Sequence, residues 1–518
     1  MAHWMNLGQN LKVNAKKFPD TVALMDHQRS FTYPETNQRV NRLAHSLMGL
    51  GLTKGDKVAV LMDNCIEIVE LYLATAKTGI VIVPINFRLV SREVEYIVNN
   101  SDAKAMFLEE QFIPTVDPIK RKLPNIPQNH YLVVGDPRDG YSSYDDFIKD
   151  APVMEPMTTV HPKDTWILIY TSGTTGKPKG VIRSHESHIA FYLLNAVDFR
   201  FNEDDVCLNV MPLCHINTTF YSFLFTYVGG SVYIHPAQSF RPPEVLDIVE
   251  KKKITFISLI PTHYNLILNQ GDAERKPDVS SIRTLLCSSA PVRKKMKKEV
   301  MAFFPNADLY EGYGSTEAGI VTVLKPKDQM RKPGSIGFES LGTEFVKLLD
   351  LNGNEVPDGE VGEIYSRGPM LFDEYYKLPE KTAASFRDGW FSAGDMGVKD
   401  EDGYFYIVDR KDNMIITGGE NVYPSEVEEI VGNNECVFDC ACIGVPDEKW
   451  GEKVVAVVAL KEGESADDQN EQAIKECCCE GLAGYKRPKE VVFIEQDEMP
   501  RTPTGKILHR KLREKFAK

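Results

Sequence analysis

Short β-branched runs alternate with stretches of helical periodicity along the first part of the chain. "DKVAVLM" (56–62), "GIVIVPI" (79–85), "AKAMFL" (103–108) and "HYLVVG" (130–135) are apolar runs of strand length. Between them, "CIEIVELYLATAKTG" and "SREVEYIVNN" space their apolar residues for one face of a helix. The alternation returns with "SVYIHP" (231–236), "ITFISLIP" (254–261) and "SIRTLLCSSAP" (281–291). This order predicts an α/β architecture built on mainly parallel sheets. No long period repeats, which excludes solenoids and propellers.

After residue 330 the texture changes. "VKLLDLNGNEV" and "MGVKDEDGYFYIVDR" carry Asn352-Gly353 and Asp402-Gly403 between apolar runs, a hairpin pattern that predicts a β subdomain at about 330–411. Beyond Asp412 come a helix candidate, "YPSEVEEIVGN", the strand candidates "DCACIGV" and "KVVAVVAL", and a basic tail. The charged stretch Arg410 to Asn413 suits a linker. The reading therefore divides the chain at 411/412. A large N-terminal domain, 1–411, holds two parallel-type α/β sheets and the β subdomain, and a small α+β C-terminal domain spans 412–518.

A chain of 518 residues is long enough for two or more buried cores. Its 42% hydrophobic and 26% charged residues are ordinary for a globular protein. The net charge of −14 argues against nucleic acid as the main partner, but not against a small anion held by a local field. The ten cysteines form no C-x-x-C pair, and Cys477-Cys478-Cys479 cannot bridge internally with relaxed geometry. Free thiols in a reducing cytoplasm are expected. The opening "MAHWMNLGQNLKVNAKKFPD" lacks a signal peptide's apolar core, and no apolar run is long enough to span a membrane.

Candidate chemistry gathers in polar, Gly-rich stretches. "YTSGTTGKPKG" (170–180) follows the apolar "WILI". Its glycines open backbone N–H groups, and its hydroxyls and lysines suit an anion. It is not a Walker loop: two residues separate Gly173 from Gly176, and Pro178 follows Lys177. A phosphate loop of another kind and a flexible surface loop both fit. In "LYEGYGSTEAG" (309–319), Tyr313 can offer a ring face to a base, Ser315 and Thr316 can donate to phosphate, and Glu317 can hold Mg²⁺. A turn with a capping Thr-Glu pair fits equally. Asp395, after a glycine in "DGWFSAGDMG", is placed for two ribose hydroxyls or for an ordinary turn. "IVDRKDNMIITGGENVYPSEVE" holds Arg410, a glycine pair that lets something pass close to the backbone, and a Pro-led helix start. Lys506 follows a Pro/Thr/Gly turn in a stretch that also reads as a solvated basic tail.

In this order, with "FTYPETNQRVNRLAHSL", "AKTGIVIVPINFRL", "MPLCHINTTF" and "LLCSSAPV", these motifs resemble the adenylate-forming superfamily. That group takes in acyl- and aryl-CoA synthetases, peptide-synthetase adenylation domains and luciferases. The resemblance covers nearly the whole chain. It implies that a carboxylate attacks the α-phosphate of ATP, and that a thiol then displaces AMP from the acyl-adenylate. It gives the β- and γ-phosphates to Thr171, Ser172, Gly173, Thr174, Thr175, Gly176 and Lys177. ATP or AMP would also meet Ser289, Ala290, Pro291, Glu311, Gly312, Gly314 and Ser315, with Tyr313 stacking on adenine. Thr316 and Lys506 are assigned to the α-phosphate, Glu317 to Mg²⁺, and Asp395 and Arg410 to the ribose. Catalysis is implied for Lys506, Thr316, Glu317 and His215. The acyl pocket is implied at His215, Ser288, Ser289 and Gly314, the coenzyme A tunnel at Gly418, Gly419 and Glu420, and a hinge at Asp412.

The chain departs from the common pattern at Ala393, where many members have Thr, and at Ser288-Ser289, where many have two glycines. "MPLCHINTTF" contains no carboxylate to pair an amino-acid ammonium, which argues against the peptide-synthetase branch. The terminal "KFAK" is not the peroxisomal Ser-Lys-Leu usual in luciferases. "PINFRL" and "GGENVYPSEVE" look most like bacterial fatty-acyl and aryl-CoA ligases. The expectation is a cytoplasmic, AMP-forming acyl-CoA synthetase, monomeric or homodimeric, using ATP, Mg²⁺ and coenzyme A. Because two serines narrow the pocket, the expected substrate is a compact apolar acid: aromatic, alicyclic or of short to medium chain.

Overall fold

The structure is a computed structural model that describes residues 6–171, 177–238, 240–269, 277–288, 292, 294–418, 420–501 and 507–516. The chain divides into two compact units, 1–345 with 366–391 and 346–365 with 392–518.

The first unit carries two large sheets. In one, the strands Val22–Met25, Ser231–Ile234, Val206–Asn209, Phe256–Leu259, Thr284–Ser288 and Asp308–Ser315 run parallel. Antiparallel strands close both edges: Ser30–Thr32 on one side, Gly319–Leu324 and Phe338–Glu339 on the other. In the second sheet, Thr165–Thr171, Val81–Pro84, Lys57–Leu61, Ala103–Glu109, Tyr131–Val134 and Ser142–Ser143 run parallel. Central strands such as Lys57–Leu61 and Val81–Pro84 are nearly continuous apolar runs because helices cover both faces. The helix Ile66–Thr78 is buried along its whole length. The α/β fold with mainly parallel sheets is as read.

The loop after "WILI" has a different setting from a phosphate loop that opens a helix. Thr165–Thr171 pairs antiparallel with Lys179–Ser184, so the loop joins two strands of a hairpin. The helix His185–Phe199 begins only after the second strand. Glu374–Tyr375 then adds to the far side of Lys179–Ser184, pairing Tyr375 with Val181.

The second unit contains a four-stranded antiparallel sheet, Lys347–Leu349, Gly362–Tyr365, Asp395–Lys399 and Phe405–Arg410, whose tight turns carry Gly353 and Gly403. Its other sheet combines Glu420–Val422, Ile415–Thr417, Gly451–Leu460 and Val437–Asp447 with the parallel strand Glu490–Ile494. Two features differ from the expected β block at 330–411 and the division at 411/412. Residues 366–391 fall in the first unit, because Tyr375 completes the edge there. The four-stranded sheet falls with the C-terminal residues, where Asp409 Oδ2 accepts the Ser425 N–H at 2.9 Å at the start of the helix Pro424–Gly432. The basic tail also has structure: His509–Phe516 is a helix that buries Leu512 beside Ile443 and Val457. Among the described residues no helix is long and apolar enough to cross a membrane.

Candidate active site

The hairpin that carries "YEGYGSTEAG" is shaped by Gly314. A Cβ built there would lie 1.9 Å from the Gly319 carbonyl oxygen, so the two strands approach closely only with glycine at this position. Ser315 Oγ accepts the Ala318 N–H at 3.0 Å and closes the turn between them. The strand beside it places Ser288 next to Gly312. Ser288 thus ends its strand beside the strand that leads into "YGSTE", at the C-terminal end of a parallel pair, where open α/β sheets bind ligands.

Glu317 sits at that turn with 7% of its surface exposed. Its Oε1 receives Lys179 Nζ at 2.8 Å and the Tyr375 hydroxyl at 2.7 Å. Burial alone would raise its pKa. The Lys179 charge, with hydrogen bonds from Lys179 and Tyr375, outweighs burial and holds the carboxyl below its usual range. The backbone of this turn is anchored from beneath by Arg183. This fully buried residue donates through Nη1 to the carbonyls of Thr316 (2.8 Å) and Glu317 (3.3 Å), and through Nη2 to that of Met370 (2.6 Å).

Lys179, Arg183 and Tyr375 were not singled out in the sequence. Lys179 was in view as the second lysine of "GKPKG". Arg183, a lone cation within an inward-facing strand, was a weaker sign, and Tyr375 gave none. Among the other expected residues, Thr171 ends its strand with Oγ1 buried and without a partner among the described residues. Lys177 is exposed, 5.8 Å from the centre of the Tyr96 ring. Glu311 is engaged by the buried Lys297.

His215 caps the helix Ile216–Val228. Burial, with Arg88 nearby, pulls its pKa down to about 4, so the imidazole is neutral at physiological pH. At the second residue of the helix, Asn217 Nδ2 donates to Ser288 Oγ at 2.5 Å. The contact here is polar, at residues where the sequence reading expected a pocket for an apolar acid. Ser172 to Gly176, Ser289, Ala290, Pro291, Gly419 and Lys506 lie outside the described residues.

In the second unit, Asp395 and Arg410 face one another across the antiparallel pair. Arg410 Nε is 2.8 Å from Asp395 Oδ1, and its Nη1 donates to the Ala393 carbonyl at 2.7 Å. The two ribose candidates are therefore one ion pair, and Ala393 takes part through its backbone. Asp412 lies in the 3₁₀ turn Lys411–Asn413. Gly418 adopts φ +61°, and a side chain there would meet the Trp450 ring at 3.1 Å. Glu420 is exposed and pairs with Thr417.

Among the described residues no three or more His, Cys, Asp or Glu side chains are grouped so that they could hold a metal ion. A single charged, buried carboxylate fits Mg²⁺ of the kind that takes its remaining oxygens from phosphates and water.

The model of the AMP-binding enzyme family matches residues 11–376, and that of the AMP-binding enzyme C-terminal domain matches residues 426–506. The long-chain-fatty-acid–CoA ligase FadD13 of Mycobacterium tuberculosis is 34% identical over 518 residues, 99% of each chain. Feruloyl-CoA synthase of an Amycolatopsis species is 36% identical over 506 residues, 97% of each chain. Among solved structures, the anthranilate CoA ligase AuaEII in complex with anthranoyl-AMP superposes with a TM-score of 0.89 at 30% identity, covering 99% of this chain and 98% of that one. This chain belongs to the AMP-binding enzyme family: it is an adenylate-forming enzyme. Within that class it is an AMP-forming acid–thiol ligase, an acyl-CoA synthetase, whose reaction takes ATP, Mg²⁺ and coenzyme A.

Proposed function

We propose that the enzyme activates a compact carboxylic acid, aromatic, alicyclic or of short to medium chain. The named acids of its relatives range from a long-chain fatty acid to ferulate, so relatedness does not choose among them. The observation that carries the reading is the Asn217–Ser288 hydrogen bond. It draws the pocket helix against the strand end, and on the same helix Tyr221 packs tilted against Phe256 with ring centres 5.2 Å apart. A long chain would have to part these groups and leave their polar atoms without partners.

The chemistry follows from charge. The acid's carboxylate oxygen attacks the α-phosphorus, pyrophosphate leaves, and negative charge spreads over the phosphoryl oxygens. Positioning and electrostatics supply most of the rate in such transfers. Thr171 to Lys177 would hold the departing β- and γ-phosphates, Thr316 and Lys506 the α-phosphate, and Tyr313 the adenine. Asp395 and Arg410 would take the ribose hydroxyls. Glu317 would give the protein's oxygen to Mg²⁺, which when bound neutralises phosphate charge. The thiolate of coenzyme A, arriving past Gly418, Gly419 and Glu420, then attacks the acyl carbon, and AMP leaves.

A panel of acids assayed for thioester and pyrophosphate release, with coenzyme A and ATP, tests the reading. Compact acids are expected to give the highest kcat/KM. A C16 acid as the best substrate overturns it.

A further inference from the structure

Beside Asn217 lies a small cavity between the helix Ile216–Val228 and the strands Val206–Asn209 and Phe256–Leu259. Its volume, about 10 Å³, is about what one water molecule needs. Asn209, Asn217, Thr218, Ser222 and Ser258 line it together with apolar and aromatic side chains.

Two of these residues hold unmatched polar atoms. Asn209 is 4% exposed and Thr218 is 5% exposed. Among the described residues, neither the amide nitrogen nor the amide oxygen of Asn209 has a hydrogen-bond partner, and the Thr218 hydroxyl has none either. Buried groups of this kind normally find partners, because leaving them unmatched forfeits their hydration. Their neighbours are satisfied: Ser258 Oγ donates to Asn217 Oδ1 at 3.3 Å, and Asn217 Nδ2 donates to Ser288 Oγ. A chain of hydroxyl, amide and hydroxyl thus leads from the cavity to the residue expected to border the acid.

The lining contains no charged side chain. An ionic group placed there would be desolvated without a counter-charge. Asn209 offers both a donor and an acceptor, which matches a group that accepts and donates at once. We propose that Asn209 and Thr218, with Asn217 as the connecting residue, select an acid bearing a neutral hydroxyl at the end away from its carboxylate. This rests on the reading of His215 and Ser288 as the border of the acyl pocket. It refines that reading from a compact acid to a compact hydroxylated one.

Matched acids test it on the full-length enzyme: 3-phenylpropanoate against 3-(4-hydroxyphenyl)propanoate, and hexanoate against 6-hydroxyhexanoate. The hydroxylated member of at least one pair is expected to have a kcat/KM for thioester formation roughly tenfold higher or more, because a site built to bind a hydroxyl penalises its loss. Asn209→Leu and the near-isosteric Thr218→Val should each bring that ratio toward one. Turnover of both members at equal kcat/KM overturns the hydroxyl proposal and leaves the compact-acid reading standing. Turnover of neither pair, with a C16 acid accepted, overturns both.

The free protein supplies a second readout. If the Asn209 amide waits for a ligand, Asn209→Leu keeps or raises the melting temperature. If the amide is structural, satisfied by a resident water, the substitution lowers the melting temperature and the proposal falls.

Discussion

Lys179 Nζ stands 2.8 Å from Glu317 Oε1, and the Tyr375 hydroxyl shares the same oxygen. The first residue comes from the Gly-rich loop motif and the second from the motif given to Mg²⁺, so the two are coupled before any nucleotide arrives. Glu317 is depressed in the folded state. It therefore contributes stability above the ordinary carboxylate pKa, and that contribution is lost as pH falls through its lowered folded value. In Lys179→Met the opposing burial is answered only by hydrogen bonds, from Tyr375 and from the backbone at Glu317, with no charge among the groups that hold the carboxylate. The acid limb of the adenylation rate should move to higher pH, and stability should fall by about 3–5 kcal/mol for the broken buried pair. A pH–rate profile and a denaturant titration measure both. An unmoved acid limb would show that Lys179 does not set the charge of Glu317.

Arg183 should act as a positioning residue. Burial lowers its pKa to about 10, which leaves it charged at neutral pH while its guanidinium holds the Thr316 and Glu317 carbonyls. Arg183→Met is expected to lower kcat for adenylation roughly 10²-fold, as a displacement of about 1 Å does, with a smaller change in KM for ATP. Arg183→Lys should recover part of kcat. A purely structural arginine would lower the melting temperature and leave the kcat of the folded fraction alone.

The C-terminal assignments separate into two half-reactions. Lys506→Ala removes a positive charge from the developing phosphoryl charge and should slow adenylation by roughly 10²- to 10³-fold. It should leave a supplied acyl-adenylate able to react with coenzyme A. Gly419→Leu should do the reverse, releasing pyrophosphate in a single turnover and failing to deliver thioester. Single-turnover assays of each half-reaction decide. Adenylation at the parental rate in Lys506→Ala removes that lysine from the site.

Asp412 should be a hinge. By the resemblance, the C-terminal domain takes a different orientation for each half-reaction, and a hinge absorbs the φ/ψ change at a few positions. Asp412→Pro, which locks φ, should keep adenylation and lose most thioester formation. Equal loss of both half-reactions in a folded protein contradicts the hinge.

Much of this protein was legible along the chain. Apolar periodicity located strands such as Lys57–Leu61 and Thr284–Ser288, because a residue's neighbours in sequence decide which face of a strand or helix is buried. Asn352-Gly353 and Asp402-Gly403 marked real hairpins for an equally local reason, the left-handed backbone that both glycines adopt. The motifs were local too, and their order was enough to identify the family. What local pattern could not determine was which distant edge or buried polar atom would find which partner. The Gly-rich loop spans a hairpin because Lys179–Ser184 turns back along Thr165–Thr171. Residues 366–391 return to the first unit because Tyr375 pairs on the open side of Val181. His509–Phe516 is a helix because Leu512 has an apolar surface to cover, which its charged neighbours concealed in the sequence. Arg183, Lys179 and Glu317 meet for the same reason: a buried charge must be satisfied, and only the assembled strands bring it a partner.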